Sequence, residues 1–157
     1  MDPVLVPLKE EWKEKADQYA QEAGYPSMRT GKLAEYAVIW YLRSKHVPLK
    51  EDHTPPTRAD YFDLNLGSTL VDVKSCLAPA QELRVTRKWF DKGRRFAFYI
   101  GVQMTKNRKQ ARIFGFCSRG TVARAPTKQR GKREVYIVPF SMLEPIEKLV
   151  SAFTSQR

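Results

Sequence analysis

The hydrophobic pattern of the first fifty residues predicts two helices. Apolar residues recur at helical spacing from Leu8 to Ala23, and Gly24 follows at the position where helices commonly stop. A second and mostly apolar helix is predicted from Thr30 to Lys45, with Thr30 as its N-cap. Because it is apolar around most of its circumference, we expect this helix to be well buried.

The pattern then changes to that of strands. Residues 46–58 contain three prolines and are predicted to be irregular. Two strands follow over 60–66 and 69–76, and the Gly67-Ser68 pair between them fits a type II′ hairpin turn. The remaining predicted elements are strands over 96–104, 111–117 and 135–139, an exposed loop over 119–133 and a helix over 143–153. The order ααβββββα predicts one α/β domain over 1–157, with helices around a largely antiparallel sheet and residues 1–24 as an N-terminal helical extension.

Composition excludes several classes of protein. A chain of 157 residues with 42% hydrophobic residues suits one packed domain and excludes general disorder. Apolar runs stay well short of the roughly 18–20 residues that span a bilayer, and the first residues lack a signal-peptide pattern. The two cysteines, Cys76 and Cys117, are too few for a disulfide framework or a zinc site. We therefore expect a cytoplasmic protein.

Charge suggests a partner. The 28 basic and 17 acidic residues give a net charge of +11, and the excess is concentrated in one segment. Residues 84–133 hold 16 basic residues and a single acid, Asp91. This segment favours a polyanion, most simply nucleic acid, over a solubilising surface or an acidic membrane face. The candidate nucleic-acid-binding residues are Arg108, Lys109, Arg112, Arg124, Arg130 and Arg133.

The predicted hairpin places two carboxylates together. If the turn centres on Gly67-Ser68, Asp63 lies directly opposite Asp72, with Cβ atoms about 4.5–5.5 Å apart. Lys74 shares the face of Asp72, while the apolar residues of both strands form the opposite, core face. A divalent cation would relieve the repulsion, and Mg²⁺ suits a site built from oxygen ligands. The alternative is that Lys74 neutralises the two acids in a surface salt bridge.

A third carboxylate lies on the second helix. Glu35 shares the inward stripe of that helix with Val38, Ile39 and Leu42, at offsets of three, four and seven. A carboxylate at such a position needs a polar partner. It either reaches solvent at the edge of the stripe or reaches a metal held by the adjacent sheet.

At these residues the sequence resembles the PD-(D/E)xK nuclease superfamily. The matching segments are Gly31–Tyr36, Tyr61–Leu64 and Leu70–Ser75, so the resemblance covers about residues 30–76 closely and the later strands loosely. It implies a restriction-endonuclease-like core, with a mixed central β-sheet and flanking helices. Two departures are Phe62 in place of a frequent proline and Asp72 in place of the commoner glutamate. The helix that the family places after the hairpin would have to come from residues 79–93.

The resemblance also implies a chemistry. It implies a Mg²⁺-dependent endodeoxyribonuclease that hydrolyses phosphodiester bonds of DNA, with Mn²⁺ as a possible substitute. Asp63, Asp72 and the carbonyl of Val73 would hold the metal, and Glu35 would bind a second ion or a metal-bound water. Lys74 would orient and help to deprotonate the attacking water.

Several alternatives remain beside this interpretation. Asp60 competes with Asp63 for the first ligand position, but strand alternation directs Asp60 toward the core. His46 and His53 lack a third ligand at metal-binding spacing, so a zinc site is not favoured. Four aromatic residues are interpreted as core and interface residues and not as base-stacking platforms: Trp40, Tyr41, Trp89 and Phe90.

The substrate and partner expectations follow from size and resemblance. Archaeal Holliday-junction resolvases are similarly small and basic members of the superfamily, and they act as homodimers. We therefore expect DNA as the partner, a homodimer, no membrane association, and structure-specific or low-specificity cleavage. The rival hypotheses are a non-catalytic basic nucleic-acid-binding module with structural acids, and a nuclease subunit of a larger DNA-processing complex.

Overall fold

The computed structural model describes residues 2–51, 63–93 and 95–154. The strands in this part of the chain are β1 (Val4–Pro7), β2 (Lys50–Glu51), β3 (Asp63–Leu66), β4 (Thr69–Leu77), β5 (Glu82–Thr86), β6 (Phe98–Met104), β7 (Gln110–Ser118), β8 (Thr127–Arg130) and β9 (Arg133–Pro139). The α-helices are α1 (Glu10–Ala23), α2 (Met28–Ser44), α3 (Arg87–Lys92), α4 (Arg119–Ala123) and α5 (Ile146–Thr154).

These strands form two sheets. The larger has the order β1-β7-β6-β4-β3-β2, and the smaller is antiparallel with the order β5-β9-β8. All neighbours in the larger sheet are antiparallel except β4 and β6, which are parallel. The chain can return in the same direction because β5 and α3 lie between these two strands in sequence. The predicted α/β class with a mixed sheet and flanking helices is confirmed.

The two N-terminal helices follow the apolar pattern, with one difference at a helix start. Gly24 has φ +77° and closes α1 by donating its N–H to the carbonyl of Ala20, as expected for a left-handed glycine cap. The second helix begins at Met28, so Thr30 lies inside it and the predicted N-cap was wrong. Met28 is buried, and its packing extends the helix beyond the first good capping residue.

Helices cover one face of the larger sheet. Val71 and Val73 of β4 share a hydrophobic cluster with Leu33 and Val38 of α2. Trp12 of α1 belongs to the same cluster, and β1 pairs with β7 at the sheet edge. The segment predicted as an N-terminal extension is therefore built into the sheet and its core.

The smaller sheet covers the other face. Its Val85 and Val138 pack in a second cluster with Tyr99 of β6 and Cys117 of β7. Because alternate residues of a strand point to opposite faces, Asp72 and Lys74 lie on this side of β4, away from Val71 and Val73. The side that carries Asp72 is thus the side that faces the smaller sheet.

Two predicted segments have a different structure. The segment predicted as an exposed loop over 119–133 contains α4 and the β8–β9 hairpin. It has no alternating apolar pattern because β8 is an exposed edge strand whose four residues all contact solvent. Residues 79–93, expected to supply a helix, contain β5 followed by the six-residue α3. Among the described residues, no helix is long and apolar enough to cross a membrane.

Candidate active site

The β3–β4 hairpin has the predicted register. Asp63 pairs with Asp72, and Leu66 with Thr69. Gly67 has φ +70° and Ser68 does not have a positive φ, as a type II′ turn requires. The side chain of Asp63 and all of residues 60 and 62 lie outside the described part of the structure. The hairpin backbone therefore places the two predicted ligand positions opposite each other. Of the two side chains, that of Asp72 is in the described part of the structure.

Asp72 is a buried carboxylate with one lysine beside it. It is 4% exposed, and Lys74 Nζ lies 3.0 Å from Asp72 Oδ2. Burial raises the pKa of Asp72, while the charge and hydrogen bond of Lys74 and the backbone N–H of Val73 oppose that rise. Burial is the larger effect, so a further positive charge at this carboxylate would be favourable.

Asp72 and Lys74 lie at one wall of a cavity of about 480 Å³. The α1–α2 corner contributes Tyr25 and the first turns of α2 to the lining. Across from them, α3 contributes Trp89 and the smaller sheet contributes Arg133. The cavity thus combines a carboxylate and a lysine with aromatic and cationic side chains, and its volume is that of a small-ligand site.

A second polar pair, Tyr99 and Arg119, lies next to Asp72. Tyr99 pairs with Asp72 in the parallel β4–β6 register and lines the cavity. Burial and then the charge of Asp72 raise the pKa of Tyr99, so it remains a neutral hydroxyl. Arg119 packs its guanidinium 3.9 Å from the centre of the Phe90 ring and donates to the Phe90 carbonyl at 2.7 Å. These two contacts hold Arg119 against Phe90, which lines the cavity.

Glu35 is buried, as its inward position on the helix predicts, and lies beside a lysine of the same helix. It is 1% exposed, and its carboxylate lies 3.4 Å from Lys32 Nζ, one turn earlier on α2. Lys32 Nζ also lies 4.5 Å from the centre of the Tyr19 ring. Glu35 is not among the described residues that line the cavity, although Gly31 is. The structure therefore brings Asp72 and Lys74 together at the cavity, and Glu35 as a metal ligand stays a prediction.

The six predicted nucleic-acid-binding residues occupy three places. Two of them, Arg130 and Arg133, lie on the β8–β9 hairpin, and only Arg133 of the six lines the cavity. Arg124 follows α4. The other three lie in or beside the β6–β7 turn: Arg108, Lys109 and Arg112. That turn follows Met104, five residues along β6 from Tyr99, which is about 17 Å at strand rise.

Sequence reasoning missed two aromatic residues of the cavity. Tyr41 and Phe90 are buried as predicted, but Trp40 and Trp89 are exposed. Trp89 is 49% exposed and lines the cavity together with the exposed Tyr25. The sequence carried a signal for this exposure, because Trp89 follows the charged residues Arg87 and Lys88.

The residues present are compatible with Mg²⁺ but do not enclose it. Among the described side chains there is no group of three or more histidine, cysteine or acidic residues that could hold a metal. Mg²⁺ commonly keeps several waters and uses only one or two protein carboxylates together with substrate phosphate oxygens. Asp72, opposed by Asp63 in the backbone register, satisfies that smaller requirement.

Comparison with known proteins gives a family. A family model described as "Protein of unknown function (DUF1822)" matches residues 6–157. No curated protein matches the chain, and no solved structure does.

Proposed function

We propose that this chain, which belongs to the DUF1822 family, is a metal-dependent nuclease that hydrolyses phosphodiester bonds of DNA. The observation that carries the proposal is the Asp72–Lys74 pair, buried on the carboxylate side and open to a cavity on the lysine side. A structural ion pair gains little from this arrangement, because burying a charge costs free energy. Strongly perturbed acids in clefts are candidates for function.

In the proposed mechanism, Asp63 and Asp72 hold Mg²⁺, with the Val73 carbonyl as a further candidate ligand. The metal would lower the pKa of a bound water and neutralise charge that develops on the phosphate. Lys74, whose Nζ lies 3.0 Å from Asp72 Oδ2, would orient the attacking water, help to remove its proton and stabilise charge on the phosphorane. Glu35 as a ligand of a second ion stays a prediction, which its pairing with Lys32 does not favour.

One observation favours a second candidate, a non-catalytic nucleic-acid-binding module. Lys74 already neutralises Asp72 at 3.0 Å, so the carboxylate is satisfied without a metal. In that case the basic β8–β9 hairpin would bind the phosphate backbone, and the acids of the β3–β4 hairpin would be structural.

One assay separates the two candidates. Purified protein is incubated with plasmid DNA, a branched DNA junction and RNA, each with Mg²⁺ and with EDTA. Under the nuclease proposal, DNA is cut in Mg²⁺ and remains intact in EDTA, and an Asp72→Asn variant is inactive. If the protein binds these substrates but cuts none of them, the binding module is favoured.

A further inference from the structure

We infer that the cavity beside Asp72 receives an unpaired nucleotide of a DNA strand, with its base stacked on Trp89. The inference rests on the proposed function for the role of Asp72 and Lys74, and it names the substrate class as single-stranded or frayed DNA. It is carried by three features of the cavity: exposed aromatic surface, positive charge and restricted size.

The aromatic surface is the first feature. Covering exposed apolar surface contributes about 25 cal/mol per Å², and Trp89 is 49% exposed where it lines the cavity. Tyr25 lies in the lining contributed by the α1–α2 corner and is 56% exposed. Base faces stack on such rings without regard to sequence. In a duplex the neighbouring base pairs already cover those faces, so stacking here requires an unpaired base.

Charge is the second feature. Arg133 lines the same cavity, and Lys88 places its Nζ 5.6 Å from the centre of the Trp89 ring. Lys74 adds an ammonium at the other wall. A nucleotide carries an apolar aromatic base and an anionic phosphate, and this lining offers surfaces for both. An apolar ligand without a phosphate would leave the cations unused.

Size is the third feature. A cavity of about 480 Å³ accommodates one nucleotide but not the width of a duplex. Asp72 is 4% exposed, so the backbone of an intact duplex that lies across the surface cannot bring its phosphate to this carboxylate without local opening. A single strand can enter the cavity and present its phosphate to Lys74.

The test measures binding in EDTA, so that it does not depend on cleavage. A labelled single strand and a blunt duplex of equal length are titrated with wild-type protein and with three variants. Trp89→Ala removes the ring, Trp89→Phe keeps an aromatic face, and Trp40→Ala removes a comparably exposed tryptophan that does not line the cavity. On wild-type protein, a strand of abasic nucleotides keeps the phosphates and removes the bases.

The inference predicts a loss specific to bases and to Trp89. Single-strand affinity should fall about 5- to 150-fold in Trp89→Ala, stay close to wild type in Trp89→Phe, and be unchanged in Trp40→Ala. The abasic strand should bind wild-type protein with a similar loss, and duplex affinity should be insensitive to Trp89. Equal binding of the normal and abasic strands, or wild-type single-strand affinity in Trp89→Ala, would overturn the inference. If the predicted losses occur but no DNA is cut in Mg²⁺, the stacking site stands and the nuclease proposal fails.

Discussion

Among the described residues, two carboxylate–lysine pairs with a buried acid differ in what surrounds them. In α2, Lys32 and Glu35 lie 3.4 Å apart with side-chain exposures of 10% and 2%. In β4, Asp72 and Lys74 lie 3.0 Å apart with exposures of 6% and 36%. The two pairs are alike in that each acid is buried, and a buried carboxylate needs a positive partner. They differ in the position of the lysine.

The lysine determines whether the pair is closed or open. Lys32 is enclosed by aromatic rings, with its Nζ 4.5 Å from the Tyr19 ring centre and 5.7 Å from that of Tyr36. Lys74 instead faces the cavity, where a metal or a phosphate can compete for it. Under the proposed function the β4 pair has a chemical role, and the following variants compare it with the α2 pair.

The largest effect is expected at Lys74. Lys74→Ala should bind DNA nearly as well as wild type, because it removes one cation from a chain with 28 basic residues. Its cleavage rate should fall about 10²–10⁴-fold, the range for loss of a group that assists proton transfer. Single-turnover cleavage at saturating enzyme separates these two quantities. Wild-type cleavage by this variant would remove Lys74 from the site.

The free energy of unfolding should depend more on Lys32 than on Lys74. Lys32→Met removes the cation that lies 3.4 Å from the buried Glu35 carboxylate, and breaking a buried pair in this manner costs about 3–5 kcal/mol. Lys74→Met, the matched control, should cost less than Lys32→Met, because the Lys74 side chain is 36% exposed and water in the cavity can reach the pair. Urea denaturation measures both. A Lys74→Met variant as unstable as Lys32→Met would erase the distinction between the pairs.

The salt dependence of DNA binding should identify the basic surface that contacts the strand. Each phosphate contact adds about 0.7 to the slope of log K against log salt on single strands and about 0.9 on duplex. Neutralising three hairpin cations next to the cavity should flatten the slope by about two to three units. The residues are Lys128, Arg130 and Arg133.

The matched control neutralises three cations in the distant β6–β7 turn: Lys106, Arg108 and Lys109. Because this turn lies away from the cavity, the slope should change by less than one unit. An equal change in both triple variants would show that the charge acts as a diffuse surface and not as a strand path.

The smallest effect is a gain in stability. Burial raises the pKa of Asp72, so the folded state binds its proton more tightly than the unfolded state does. The charged carboxylate therefore lowers stability at neutral pH. Asp72→Asn should raise the free energy of unfolding by about 0.5–2 kcal/mol at pH 7 without metal.

The gain should shrink as pH falls through the raised folded-state pKa of Asp72 and should be lost below the unfolded-state pKa of about 4, where the carboxyl is protonated in both states. Thermal melts of the two proteins between neutral and acidic pH measure this trend. A variant less stable than wild type at pH 7 would mean that the ion pair with Lys74 outweighs the cost of burial.

The hairpin and its carboxylates could be predicted because their determinants are local. Gly67 fixes the turn, and the turn fixes the register that opposes Asp63 and Asp72. The burial of Val71 and Val73 follows from the same alternation. No distant part of the chain is needed for this part of the site.

The partner of Glu35 could not be settled in the same way. Its inward position was correctly predicted, but the choice between a metal and a neighbouring cation depends on packing between helices. The spacing of three residues from Lys32 was a visible signal for an intrahelical pair. Strands β1 and β8 were missed because each is a short edge strand with little apolar alternation: all four residues of β8 and two of the four in β1 are exposed. Trp89 was interpreted as a core or interface residue and not as a base-stacking platform, because its place in the cavity lining depends on tertiary packing that a short helix does not reveal.

The central claim is that Asp63 and Asp72 hold a divalent metal, and calorimetric titration with Mn²⁺ tests it most directly. Wild-type protein should release or absorb heat on binding, and an Asp63→Asn/Asp72→Asn double variant should lose that signal. An Asp91→Asn/Glu134→Gln variant removes two acids that pair with Arg87 and are not among the described residues that line the cavity, and it should bind Mn²⁺ as wild type does. Undiminished Mn²⁺ binding in the Asp63→Asn/Asp72→Asn variant would contradict the account.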